Sequence, residues 1–115
     1  MGVIPLSVLF AAYMFSEPVP FSLWNPPGEA GVYAVLVRDP KIKPKKYRPI
    51  YFGESSNLSE PGLLKTHPRY MCWLKEGGTE SGLFAAAHPM PRATTDRRVA
   101  VAVELIEQYD PYCNY

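Results

Sequence analysis

The sequence predicts a small α+β domain: a three-stranded antiparallel sheet flanked by helices. Three observations carry this. First, two runs rich in β-branched and aromatic residues, Gly31–Arg38 and residues 49–54, lie close enough in the chain to pair antiparallel. Second, a further run, Gly82-Leu83-Phe84-Ala85-Ala86-Ala87 within residues 81–88, is bounded by Pro89 and Pro91. Third, Thr94-Thr95-Asp96 opens a helix running to about Tyr109, where Asp110-Pro111 ends it.

The elements follow in order. Leu6, Leu9, Phe10, Tyr13 and Met14 fall at helical spacing, so residues 1–30 begin with a short helix laid on the core. The stretch from Val3 to Phe15 is apolar, but no Lys or Arg precedes it, Pro5 interrupts it, and Ser16-Glu17-Pro18 is a poor cleavage context for a signal peptide. It is also too short to cross a bilayer. The expectation is therefore a cytoplasmic protein with no membrane partner. Residues 18–28 contain four prolines together with Phe21 and Trp24, and read as an extended connection pinned by aromatics. After the strand at Gly31–Arg38 comes a Lys- and Pro-rich loop over residues 39–48, then the strand at 49–54. Ser56-Asn57 offers an N-cap for a short helix from Leu58, with Pro61 tolerated in its first turn and Gly62 weakening it. Pro68 opens a second short helical stretch through Leu74, closed by Gly77-Gly78. The third strand and the long helix complete the domain, residues 31–115.

A chain of 115 residues supports one domain with one core. Thirteen prolines shorten helices and multiply turns. The net charge of +1 supplies no global attraction for nucleic acid, so any basic footprint is local. Cys72 and Cys113 fit no zinc spacing. Two free thiols in a reducing compartment are the first expectation, and a single disulfide is the second.

The triplets Gly31-Val32-Tyr33 and Tyr51-Phe52-Gly53, the pair Asn57-Leu58, and the tail Pro111-Tyr112-Cys113-Asn114 occur in that order. Together they resemble the GIY-YIG nuclease domain, over roughly residues 31–114. The resemblance implies a shallow active site into which Tyr33 and Tyr51 project, with Asn114 matching the tail asparagine. It also implies phosphodiester hydrolysis assisted by one divalent cation, Mg²⁺ or Mn²⁺. Such hydrolysis needs an activated water, a cation, and a donor for transition-state charge. A tyrosine accepts a proton only when its pKa, ordinarily about 10, is lowered.

Counting from the motifs, however, the family's arginine position is Pro61 and its glutamate position is Ala102. Proline offers no donor and alanine binds no metal. Loss of one preorganised donor costs about 100- to 1000-fold in rate. Glu104 lies about 200° further round the helix, on a polar face with Arg97 and Glu107, while Val99, Ala102, Val103 and Ile106 share an apolar face. Lys65 or Arg69 would replace the arginine charge without restoring a metal. Glu54, beside the second triplet, is the best replacement ligand. The implied function is thus a catalytically impaired GIY-YIG-like binding protein for nucleic acid or a protein partner, with no cofactor. The alternative is an active metal-dependent endonuclease. Without the resemblance, Tyr33 and Tyr51 read as packing residues of strands, and His67 and His88, each beside a proline, as loop or pocket histidines.

The remaining feature is electrostatic. Arg38, Lys41, Lys43, Lys45, Lys46 and Arg48 crowd into residues 38–48, with Asp39 the one acid, and prolines at 40, 44 and 49 stiffen the stretch. A rigid basic tip contacts phosphates without reading bases, and Tyr47 offers a stacking surface. The competing reading is a solvated turn whose lysines protect strand edges.

Overall fold

Gly31–Arg38 is apolar on both sides of its pleat, which places it where both sheet faces are covered. The computed structural model describes residues 7–39, 41 and 47–115. Its elements in chain order are β1 (Val8–Phe10), β2 (Tyr13–Phe15), β3 (Val19–Pro20), β4 (Gly31–Arg38), β5 (Tyr47–Ser55), α1 (Tyr70–Gly77), β6 (Phe84–Pro89) and α2 (Thr95–Tyr109). β3, β6, β4 and β5 form one antiparallel sheet in that spatial order, and β1 and β2 form a separate hairpin. The three expected strands are present as β4, β5 and β6, and the two-residue β3 adds a fourth beside β6.

The sheet separates two apolar layers. On one face Tyr33, Val35 and Val37 pack with Ile50, Leu58, Leu64, Trp73 of α1, Leu83 and Cys113. On the other, Val32, Ala34, Leu36 and Phe52 pack with Val101 and Leu105 of α2 and with Phe10 and Phe15 of the hairpin. α2 starts as its residues demand: the Thr94 hydroxyl accepts from the Arg97 N–H at 3.2 Å. Asp110 ends it in the left-handed conformation, φ 49°, donating to the Ile106 carbonyl.

Several expectations are corrected. Residues 8–15 form a hairpin rather than a helix. Phe10 and Phe15 alternate with the exposed Leu9 and Met14, a period of two that buries both rings against Phe52 and Tyr109. Ala11, φ 54°, makes the tight turn and donates its N–H to the Tyr109 hydroxyl at 2.7 Å. No helix starts at Leu58: residues 58–66 are successive turns, because Gly62 takes φ 81° after Pro61 and Asn57 caps Ser59 through both its backbone N–H and its hydroxyl. The inward face of α2 comprises Arg98, Val101, Ala102 and Leu105, whereas Val99 and Val103 are exposed. Cys72 and Cys113 are paired in a disulfide, their Cα atoms 5.8 Å apart, so they are not free thiols. Among the described residues no helix is long and apolar enough to cross a membrane.

Candidate functional site

β4 and β5 run antiparallel with Tyr33 opposite Gly53 and Val35 opposite Tyr51. Directly opposed residues share a sheet face, so Tyr33 and Tyr51 lie side by side, ring centroids 6.0 Å apart. Gly53 makes this possible: a Cβ there would sit 2.6 Å from the Tyr33 Cζ and hydroxyl and 2.8 Å from the Tyr51 ring. The second triplet's glycine is thus the floor on which the first triplet's tyrosine lies.

The hydroxyls form a short chain. Tyr33, almost completely buried, is hydrogen-bonded to Tyr51 through their hydroxyls. Tyr51 meets His67 Nε2 at 3.2 Å. His67 Nδ1 accepts the Arg69 N–H at 2.9 Å, so the neutral ring carries its proton on Nε2 and donates to Tyr51. Trp73 supports the arrangement from below, stacked on His67 at 4.7 Å and tilted against Tyr51 at 5.2 Å. The Tyr51 hydroxyl therefore meets both the Tyr33 hydroxyl and the His67 ring. Burial pushes both tyrosines above their ordinary pKa, Tyr33 far above it. For Tyr51 the Tyr33 hydrogen bond and the nearby Arg69 charge oppose the rise. Both hydroxyls are protonated donors at neutral pH, and neither is a base.

His67 is held below its ordinary 6.5, first by burial and then by Arg69. A histidine with a lowered folded pKa contributes stability that is complete above about 6.5 and is lost as pH falls through the folded value. The urea midpoint of the wild-type protein is accordingly expected to drop more between pH 7.5 and pH 5 than that of His67→Gln. Equal drops in the two proteins would dissociate His67 from the pH dependence.

The other family-matched positions do not join this cluster. Asn114 accepts from the Phe52 N–H at 2.9 Å and donates to the Phe52 carbonyl at 3.0 Å, so both halves of its amide are engaged by β5 backbone. Ala102 is buried on α2, the helix that packs against the face carrying Val32 and Phe52, away from Tyr33 and Tyr51. Pro61 is exposed and borders a cavity of about 300 Å³ with Phe21, Trp24 and Lys65. Glu54 lies opposite Val32, hence on the α2 face, and is paired with Arg98 at 2.9 Å. Glu104 accepts from the Tyr13 hydroxyl at 2.7 Å, and Lys65 pairs with Glu80 at 3.5 Å. Ala102 offers no lone pair, the Glu54 carboxylate answers a guanidinium, and the Asn114 oxygen is taken by the Phe52 N–H.

The basic stretch is partly committed to its own fold. The Arg38 guanidinium lies over the Tyr47 and Phe84 rings at 5.9 and 5.0 Å. Arg48 is within 3.6 Å of Asp39 and 3.8 Å of Glu76. Lys41 is exposed, and Lys43, Lys45 and Lys46 lie outside the described residues.

Three residues of the site region escape the sequence patterns. His67 carries no motif, and only its place three residues after Leu64 in a turn brings it to Tyr51. Trp73 reads as an ordinary helical core residue. Arg98 lies on the buried face of a helix where an arginine is not expected, and the one available signal is its adjacency to Arg97, of which only one can point outward.

Comparison with known proteins returns no match to a family model, to a curated protein or to a solved structure.

Proposed function

We propose that the chain is a GIY-YIG-like domain that binds nucleic acid without cutting it. What carries this reading is the half-buried Tyr51 hydroxyl, bonded to His67 and Tyr33 and flanked by the exposed Arg69. A hydroxyl donor beside a cation suits a phosphate oxygen. Hydrolysis needs in addition a carboxylate free to hold metal or activate water, and the nearest candidate, Glu54, is bonded to Arg98 on the other face. The lysines of residues 41–46 would add contacts that track the backbone and release counterions.

The test is binding of labelled DNA and RNA by fluorescence anisotropy across salt concentrations, with Mg²⁺ and Mn²⁺ present and the products run on a denaturing gel. Binding without cleavage is expected. Tyr51→Phe should weaken it about tenfold, the worth of one hydrogen bond to a charged group. Neutralising Lys43, Lys45 and Lys46 should weaken binding to all sequences and flatten the salt slope. The double variant Pro61→Arg with Ala102→Glu should remain inactive, since residue 102 faces the opposite layer. Cleavage by the wild-type protein that disappears in Tyr33→Phe would establish the endonuclease alternative. Absence of binding to any nucleic acid would redirect the Tyr51–Arg69 surface to a protein partner.

A further inference from the structure

Among the described residues no further strand pairs with β5 at its end of the sheet. Its outward backbone groups at Phe52 are instead covered by one side chain, Asn114, which reproduces with its amide the donor and acceptor of a neighbouring strand. An edge so covered cannot template pairing with another chain, and one uncovered can. The turn that carries Asn114, Tyr112–Asn114, is tied to α1 by the bond between Cys113 and Cys72.

The two sulfurs differ in access. Cys113 is fully buried, whereas Cys72 is half-buried and borders an open cavity of about 620 Å³ with Met71, Lys75, Asp110, Tyr112 and Tyr115. A small thiol entering this cavity meets Cys72 first, with the Lys75 ammonium on the wall to favour a thiolate.

We propose that the Cys72–Cys113 bond is an exchangeable redox site and that its state decides whether the β5 edge is covered. A thiolate attacks the Cys72 sulfur, forming a mixed disulfide there. Cys113 leaves as a thiolate and takes up a proton. A second thiol then attacks the reductant's sulfur in that mixed disulfide, releasing Cys72 as a thiol and the reductant as its own disulfide. Two thiols are oxidised for each protein disulfide reduced. The turn at Tyr112–Asn114 then keeps the packing of Cys113 in the core, the Asn114 bonds and the Arg69 contact to the Tyr115 carbonyl, at 3.1 Å. Without the covalent tie the Asn114 bonds open more readily, and each opening leaves the Phe52 N–H and C=O available to an extended segment.

The experiment is reduction of the native protein by dithiothreitol at neutral pH without denaturant. Thiols are counted by alkylation and mass, and amide exchange is followed in peptides covering β5 and β4. Two alkylated cysteines are expected, with exchange at Phe52 accelerated at least tenfold while Val32 to Leu36 stay protected. Oxidised Asn114→Ala, in which the disulfide is untouched, should show the same acceleration at Phe52 and no free thiol. Reduction that occurs only as all strands lose protection would overturn the proposal. So would unchanged exchange at Phe52 in either the reduced protein or Asn114→Ala.

Discussion

Trp73→Ala is expected to destabilise the protein by about 4 kcal/mol, the upper range for removing a large aromatic from a core. Trp73 is completely buried at the junction of α1 with the sheet, edge-on to Phe21 at 6.0 Å and Tyr70 at 6.3 Å, and beneath both Tyr51 and His67. Alanine would leave a space bordered by four rings, those of Phe21, Tyr51, His67 and Tyr70. The indole N–H is buried without a partner, and an unsatisfied buried donor costs about 1–3 kcal/mol. Trp73→Phe removes that cost while keeping an aromatic surface for His67, so it should destabilise by about 1 kcal/mol or less. Urea unfolding of the two variants checks both values, and a 4 kcal/mol loss corresponds to a midpoint shift of about 2 M. If phenylalanine proved as damaging as alanine, the N–H would be engaged rather than orphaned. In Trp73→Ala the His67 ring loses the indole that helps to bury it, so the imidazole should titrate closer to 6.5 by NMR, its ordinary value.

What could be read in the chain divides by range of interaction. β4, β5 and α2 are specified locally: a β-branched run, a second aromatic run, a threonine cap and an Asp-Pro stop, all within the elements themselves. The juxtaposition of Tyr33 and Tyr51 follows from those strands pairing, and Gly53 seals it. The N-terminal hairpin misleads because a short apolar stretch satisfies both a helical and an alternating pattern. What decides between them is the slot for Phe10 and Phe15 beside Phe52, a tertiary fact. The disulfide is equally tertiary: its cysteines are 41 residues apart and meet only when the chain beyond α2 folds back over α1. Asn114 shows a different limit. Its position in the tail is legible from the motif, but its work is to cap Phe52, which requires knowing that β5 is the last strand of the sheet. The basic stretch reads as six free charges, and two of them are engaged at the surface because Tyr47, Phe84, Asp39 and Glu76 gather there from separate elements.

Arg98→Met is expected to cost about 3 kcal/mol and, despite freeing a carboxylate, to create no divalent-cation site. Arg98 is buried on α2 with every part of its guanidinium engaged: Nε with Glu54 at 2.9 Å, Nη1 with the Ala93 carbonyl at 2.8 Å, and Nη2 with the Thr95 hydroxyl at 3.0 Å. Breaking a buried pair by removing one partner leaves the other charge uncompensated and costs about 3–5 kcal/mol. The lower end applies because the Glu54 side chain is 28% exposed and regains water. Glu54→Gln keeps an acceptor for Arg98 and should cost about half as much. The contrast bears directly on chemistry. Were Glu54 poised to hold a cation beside Tyr33 and Tyr51, removing its cationic partner would unmask that site, and calorimetric titration of Arg98→Met with Mn²⁺ would give stoichiometric heat that Glu54→Gln abolishes. The geometry argues otherwise, since the freed carboxylate projects from the face of Val32 and Phe52 toward α2, while both tyrosine hydroxyls lie across the sheet from it. A cation there would find one carboxylate as its single anionic ligand, beside the Ala93 carbonyl and the Thr95 hydroxyl that Arg98 had engaged. The expected titration is flat, and a stoichiometric site would place the metal chemistry of this domain on Glu54 after all.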